Sequence, residues 1–347
     1  MRHAAWRVAF VAMAAAVAPV AQALEPAALG VVYRTGDPAS TAIAREYVRR
    51  RGIPSGNLVG IDVPDVPVLA AGAVERLRVS ALRRLPATVA ALLLVWTRPY
   101  AAGCMSITSA FAAGYRPEYC EPGCGRTGLS PLYDADSLEP ALARGWRPVM
   151  QLPSEDPALA RALIARGLAA DGSHPGGTVY LVSTGDAPRN VRAAGYADVV
   201  LAYGGRIDVR PVTMPGAVAA SPAIAYFTGV ARVVELPSLR FRPGAVADHL
   251  TSIGGVADQS LQTTALDWLV AGATASYGTV SEPCNVTGKF PSPVVFLGHY
   301  LRGESLLEAY WKSVAMPGQG LFVGEPLAAP FAARTAGAAV GGTPWGP

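Results

Sequence analysis

Reactive residue types gather at one place in this chain. Asp248-His249-Leu250-Thr251-Ser252-Ile253-Gly254-Gly255 sets an acid, an imidazole, two hydroxyls and a glycine pair in one short run. An imidazole titrates near neutrality and serves as a general base, which an acid can orient. The run continues a strand-like apolar segment, Ala245 to Leu250. Neighbours on a strand point to opposite faces, so Asp248 should not orient His249 directly. The alternative without chemistry is a polar turn whose hydroxyls cap the next helix. A second cluster, Glu282-Pro283-Cys284-Asn285, follows another apolar run and adds a carboxylate and a thiol. Cys284 is a nucleophile if a histidine lies nearby in space, and otherwise a disulfide partner. The two clusters together suggest one polar cleft. Asp248, His249, Glu282 and Cys284 are its catalytic candidates, and Ser252, Gly254 and Gly255 its binding residues, the glycines letting backbone approach a ligand closely.

Other polar groups carry weaker signals. Thr184-Gly185-Asp186 with Arg189, Asn190 and Arg192 makes a patch at a helix start, which could receive an anion or simply be a capped helix with solvated arginines. His299, beside Tyr300, fits packing or surface, and His174 fits a loop. The chain has no Gly-rich phosphate loop, no Gly-x-Ser-x-Gly elbow and no His-Glu-x-x-His. No cofactor is expected. No metal is expected either, since zinc needs more thiol or imidazole ligands than the cysteine region offers.

The elements that must position these residues alternate along the chain. Strand signals fall at 29–33, 57–63, 89–96, 177–183, 245–250, 273–280 and 321–324, with short apolar runs at 224–230 and 232–236. Helical spacing falls at 42–51, capped by Ser40 or Thr41, and at 74–85, 156–170, 187–203, 261–271, 294–301 and 305–314. Residues 99–150 look loop-rich. Strands alternating with helices predict an α/β fold in three layers, a mostly parallel sheet with helices on both faces. Ligands of such folds sit outside the carboxyl ends of the strands, here Thr97-Arg98, Ser183 to Asp186, Asp248 to Gly255 and Val280 to Cys284. Helix 261–271 lies between the two reactive clusters, so their strands should form one crossover unit and lie side by side.

The beginning of the chain has its own pattern. Arg2, His3 and Arg7 precede an apolar run from Val8 to Val20, and Ala21-Gln22-Ala23 is a small-x-small cleavage signal. This predicts a signal peptide over 1–23, with Leu24 as the mature N-terminus. A single α/β domain is expected over 24–331 and a flexible glycine-rich tail over 332–347. Removing Arg2 and Arg7 leaves 27 Lys+Arg against 25 Asp+Glu, a balance too even for a nucleic-acid partner. No integral membrane span is expected once the leader is gone. Four cysteines in an exported chain favour disulfides: Cys104, Cys120, Cys124 and Cys284 allow three pairings. The tight turn Cys120-Glu-Pro-Gly-Cys124 favours Cys120–Cys124, leaving Cys104 with Cys284.

Several runs carry a resemblance. Gly244-Ala-Val-Ala-Asp-His-Leu-Thr-Ser252, Ala271 to Asn285, Lys289-Phe-Pro291, Glu308 to Val314 and Gly320 to Leu327 resemble a family of exported bacterial proteins. So do Ile43 to Pro54, Cys104 to Cys124 and Gly177 to Arg192. The family occurs in genomes that carry the exosortase sorting system and has no assigned reaction. The resemblance implies a periplasmic or extracellular envelope protein working beside surface-protein sorting or exopolysaccharide export, with an envelope or surface protein as its partner. Beneath it lies a fainter resemblance. The order Gly244-Ala-x-Ala247, Gly303-Glu-x-Leu-x-Glu-Ala309 and Gly324-Glu-Pro-Leu327 is similar to the C-terminal half of gingipain-like cysteine peptidases. It implies a caspase-like sheet and, as the alternative function, a divergent cysteine peptidase-like hydrolase. Those enzymes use a His followed by Gly and a Cys after Ala at the ends of neighbouring strands. Here His249 is followed by Leu250, and its strand has no cysteine.

Overall fold

The computed structural model describes residues 23–120, 124–214 and 221–333. The predicted leader, apart from Ala23, and the predicted tail beyond Ala333 lie outside the described residues. The first part of the chain contains β1 (Leu29–Arg34), α1 (Pro38–Arg51), β2 (Leu58–Ile61), β3 (Val68–Leu69), α2 (Ala71–Arg84), β4 (Ala91–Val95), β5 (Ala101–Ala102), β6 (Met105–Ser106), α3 (Ile107–Ala113), α4 (Glu139–Leu142) and β7 (Val149–Leu152). Then follow α5 (Pro157–Ala170), β8 (Thr178–Ser183), α6 (Tyr196–Tyr203), β9 (Asp208–Thr213), β10 (Ala223–Gly229), β11 (Phe241–Leu250), α7 (Ala265–Ala271), β12 (Ala275–Thr279), α8 (Pro293–Leu301), α9 (Leu306–Ser313) and β13 (Gly320–Gly324).

Ten of these strands form one sheet in the order β2-β1-β4-β7-β13-β12-β11-β10-β8-β9. Every pairing in it is parallel except β12–β13. The sheet is therefore two parallel halves running in opposite directions, joined at one antiparallel seam. Strands β4, β7, β10, β12 and β13 are buried along their whole length, as strands covered on both faces should be, and β4 is apolar throughout. Helices α1, α5 and α7 cover one face, and α2, α3, α6, α8 and α9 the other. This is the expected α/β architecture, with β11 and β12 adjacent and parallel as the crossover argument requires. The reversal changes one expectation. Thr97 and Arg98 follow β4 in the first half, so they leave the sheet at the opposite rim from the other three strand ends.

Local chemistry sets the helix boundaries. Asp37, rather than Ser40 or Thr41, caps α1: its side chain accepts from the Ala39 and Ser40 amides, and Pro38 opens the first turn. The helix expected over 187–203 splits into a turn, a 3₁₀ segment Asn190–Gly195 and then α6. The one expected over 261–271 begins at Ala265, where Thr264 and Asp267 close a capping box. Beyond the sequence reading are the small sheet β3-β5-β6 and two strands of the large one. β7 lies at the end of the stretch read as loop, and β9 is a largely exposed sheet edge. The apolar run 232–236 is not a strand; it lies in the connection between β10 and β11.

Candidate functional site

Strands β8, β10, β11 and β12 release their chains at one rim, and closure there depends on a glycine. A Cβ on Gly229, at the end of β10, would sit 1.9 Å from the Arg189 carbonyl oxygen, so only glycine lets the 184–190 turn close on the strand end. Thr184 Oγ1 donates to the Gly229 carbonyl at 2.6 Å and ties the same turn down. That turn delivers Arg189, which pairs with Asp186 at 3.1 Å and donates from Nε to Thr251 Oγ1 at 3.2 Å. Thr251 in turn donates to Gln262 Oε1 at 2.8 Å. Beyond β12, Glu282 Oε1 accepts the Cys284 amide at 2.7 Å and holds Cys284 in the left-handed region at φ +53°. Arg189, Thr251, Ser252, Glu282, Cys284 and Asn285 line a groove of about 320 Å³ between these segments.

The structure brings Ser252, Glu282 and Cys284 together and keeps Asp248 and His249 out of the groove. Both are buried in β11, on opposite faces as strand alternation requires. Asp248 meets Arg192 at 2.5 Å, and Arg192 also donates to the Thr228 carbonyl at 2.8 Å. Burial raises the Asp248 carboxyl pKa, and Arg192 opposes that shift. Arg192, expected to be solvated, is thus a buried partner. His249 turns toward α7, where its Nδ1 accepts from Trp268 Nε1 at 2.9 Å. Burial, aided by the positive charge of Arg192, holds the imidazole pKa down at about 3, so it is neutral at pH 7. Gly254 and Gly255 do provide a close backbone approach, but to the protein itself. A Cβ on Gly278 of β12 would fall 2.3 Å from the Gly254 carbonyl carbon.

The cysteine pairing differs from the expected one. The bridges are Cys104–Cys120 and Cys124–Cys284, and no cysteine is free. Cys104 lies in the β5–β6 turn and Cys120 is buried after the Pro117–Tyr119 turn, so folding places these two sulfurs together. Cys124 then reaches the loop beyond β12. Cys284, a nucleophile candidate from sequence, carries no thiol in this state.

Other residues escaped the sequence reading. Gln262 gives no signal, because its role depends on how the 251–264 loop folds back. Lys289 lies in a run singled out only by resemblance. Its ammonium is buried without a hydrogen-bond partner, and burial lowers its pKa against the pull of Glu282. His299 is a packing residue in a polar network, bonded to Glu304 at 2.8 Å and Asp134 at 3.1 Å. Lys312 meets Glu304 at 2.7 Å in the same network. Among the described residues, no group of three or more His, Cys, Asp or Glu could hold a metal ion.

No family model matches the sequence, and no curated protein matches it. Solved structures do match. The Arg-specific cysteine proteinase gingipain R aligns at a TM-score of 0.55 and 10% identity, over 90% of this chain and 80% of that one. The complex of the pro- and mature domains of the Porphyromonas gingivalis enzyme aligns at 0.55 and 9% identity, over 87% and 79%. A structure described only as a protease aligns at 0.51 and 12% identity, over 89% and 80%. Identities this low show the fold alone: the chain is similar to the gingipain cysteine proteinases in the architecture of a caspase-like sheet.

Proposed function

We propose that this chain is an exported envelope protein whose caspase-like sheet holds a polar peptide segment of another envelope or surface protein. In this reading it works beside exosortase-type sorting or exopolysaccharide export, in the periplasm or outside the cell, with its leader removed between Ala23 and Leu24. The observation that carries the binding reading is the state of the cysteines. A groove lies at the rim where such folds bind ligands, yet all four sulfurs of the chain are bridged and no thiol faces it. Arg189 and Glu282 offer both signs of charge, and Ser252, Thr251 and Asn285 offer neutral hydrogen-bonding groups, a set suited to an extended peptide with charged side chains. Two bridges also fit an oxidising compartment.

The test is complementation of a deletion strain. Glu282→Gln, which keeps the acceptor for the Cys284 amide, and Ser252→Ala should leave the melting temperature near wild type and lose complementation. Full complementation by both variants would end the groove reading. The similarity to gingipain R favours a second reading, a divergent cysteine peptidase-like hydrolase. Its only thiol at the groove would come from opening Cys124–Cys284. Cleavage of Arg-containing peptides that appears on reduction and disappears in Cys284→Ser would support it. Peptide binding without cleavage in either redox state would support the first reading.

A further inference from the structure

The nitrogen of Leu24 lies 2.9 Å from Oε2 of Glu308. Glu308 closes the capping box of α9, and the same oxygen accepts the Ser305 amide at 3.0 Å and the Ser305 hydroxyl at 2.7 Å. This glutamate is only 6% exposed. Burial raises its carboxyl pKa, the Ser305 and Leu24 hydrogen bonds oppose the shift, and the like charge of Glu304 adds to it. Glu304 has cationic neighbours of its own in Lys312 and Arg302, and it bonds His299. Among the described residues Glu308 has no ion pair with Lys, Arg or His. Three neutral donors therefore converge on a buried carboxylate that lacks a counter-charge, an expensive arrangement.

We infer that Glu308 is the receptor for the N-terminal ammonium created when the leader is cut after Ala23. The inference rests on the leader reading above. Hydrolysis adds one water across the Ala23–Leu24 peptide bond, catalysed by the peptidase of the export machinery. The water oxygen joins the Ala23 carbonyl carbon, which departs as a carboxylate. The Leu24 nitrogen keeps the bonding pair, takes up both protons of the water and becomes an ammonium. The donor already directed at Glu308 thereby gains a positive charge without moving. Its position is fixed independently of the cut: Leu24 packs on the core, and the Pro26–Ala28 turn leads directly into the buried start of β1. Processing converts a neutral contact into a partly buried ion pair between the start of the mature chain and α9, close in sequence to the central strand β13.

N-terminal sequencing of exported protein tests the cut, and thermal unfolding tests the receptor. The processed form should melt about 3–6 °C above a form retaining Ala23, with that difference absent in Glu308→Gln. The ammonium pKa, read from the pH dependence of amine methylation followed by NMR, should stand at least one unit above the ordinary value of about 8. The stabilisation is then complete below that ordinary value and lost as pH rises through the raised one. The amine titration needs only wild-type protein, so a Glu308→Gln chain that fails to fold leaves a decisive measurement. A mature terminus elsewhere overturns the cleavage reading and the inference with it. A Leu24 terminus with an ordinary amine pKa, or with equal melting of the two forms, overturns the receptor alone.

Discussion

His249 loses its capacity to bind a proton when β11 forms. Its pKa falls from 6.5 to about 3, chiefly through burial beside Trp268. As pH drops below 6.5 the unfolded chain takes up a proton that the native chain refuses. The stabilisation is therefore complete above 6.5 and is lost progressively toward 3. Between pH 7.5 and 5 the loss is about 2 kcal/mol. His249→Phe should be less stable than wild type at pH 7.5, because Trp268 Nε1 loses its acceptor, but should lack this acid-side slope. Urea midpoints at pH 7.5 and 5 measure it, and comparing the two proteins cancels the carboxyls of Asp248 and Glu308, whose pKa values burial raises. Equal slopes would show that His249 protonates in the native state. The pairing of polar residue types near His249 was visible in the sequence. The burial that makes it a non-titrating acceptor was not, because the strand's alternation fixes a direction and the partner waiting there comes from another element.

Connections between elements carry the second prediction. Cys124–Cys284 spans 160 residues and Cys104–Cys120 spans 16. In the chain-entropy account the longer closure stabilises by roughly 5 kcal/mol and the shorter by about 3. Cys284→Ser should therefore cost more stability than Cys120→Ser, as read from denaturant midpoints. Non-reducing peptide maps should show a Cys104 peptide joined to Cys120, and a bridge between Cys120 and Cys124 would contradict the structure. Elements were legible to the degree that burial wrote a pattern. β4 lies between neighbours with helices above and below, so its whole length, Ala91–Val95, is apolar and stands out. Exposed β9 reads Asp-Val-Arg-Pro-Val-Thr, and its charges and proline, which protect an open edge, are the features that hide it in the sequence. The groove was half legible. Glu282 and Ser252 were found because they follow strands. The joining of Arg189 to Thr251 depends on the closure at Gly229, which local spacing does not encode, and the cysteine pairing depends on the path of residues 104–124 across the fold.

At the scale of the whole molecule, the sheet consists of two parallel halves meeting between β12 and β13. The strand that joins them, Gly320–Gly324, is buried along its length and pairs with β7 on one side and β12 on the other. A chain ending at Gln319 would leave both neighbours with open, apolar edges at the centre of the molecule, which are sites for aggregation. Such a chain should elute as soluble aggregate and lack a cooperative thermal transition; a monomeric, cooperatively melting product would show that each half stands alone. The placement of this strand also sets a timetable. A polypeptide made or threaded through a pore from its N-terminus presents its sheet neighbours long before the strand that belongs between them. No earlier length can close the central pairing, which waits until Gly320–Gly324 has arrived.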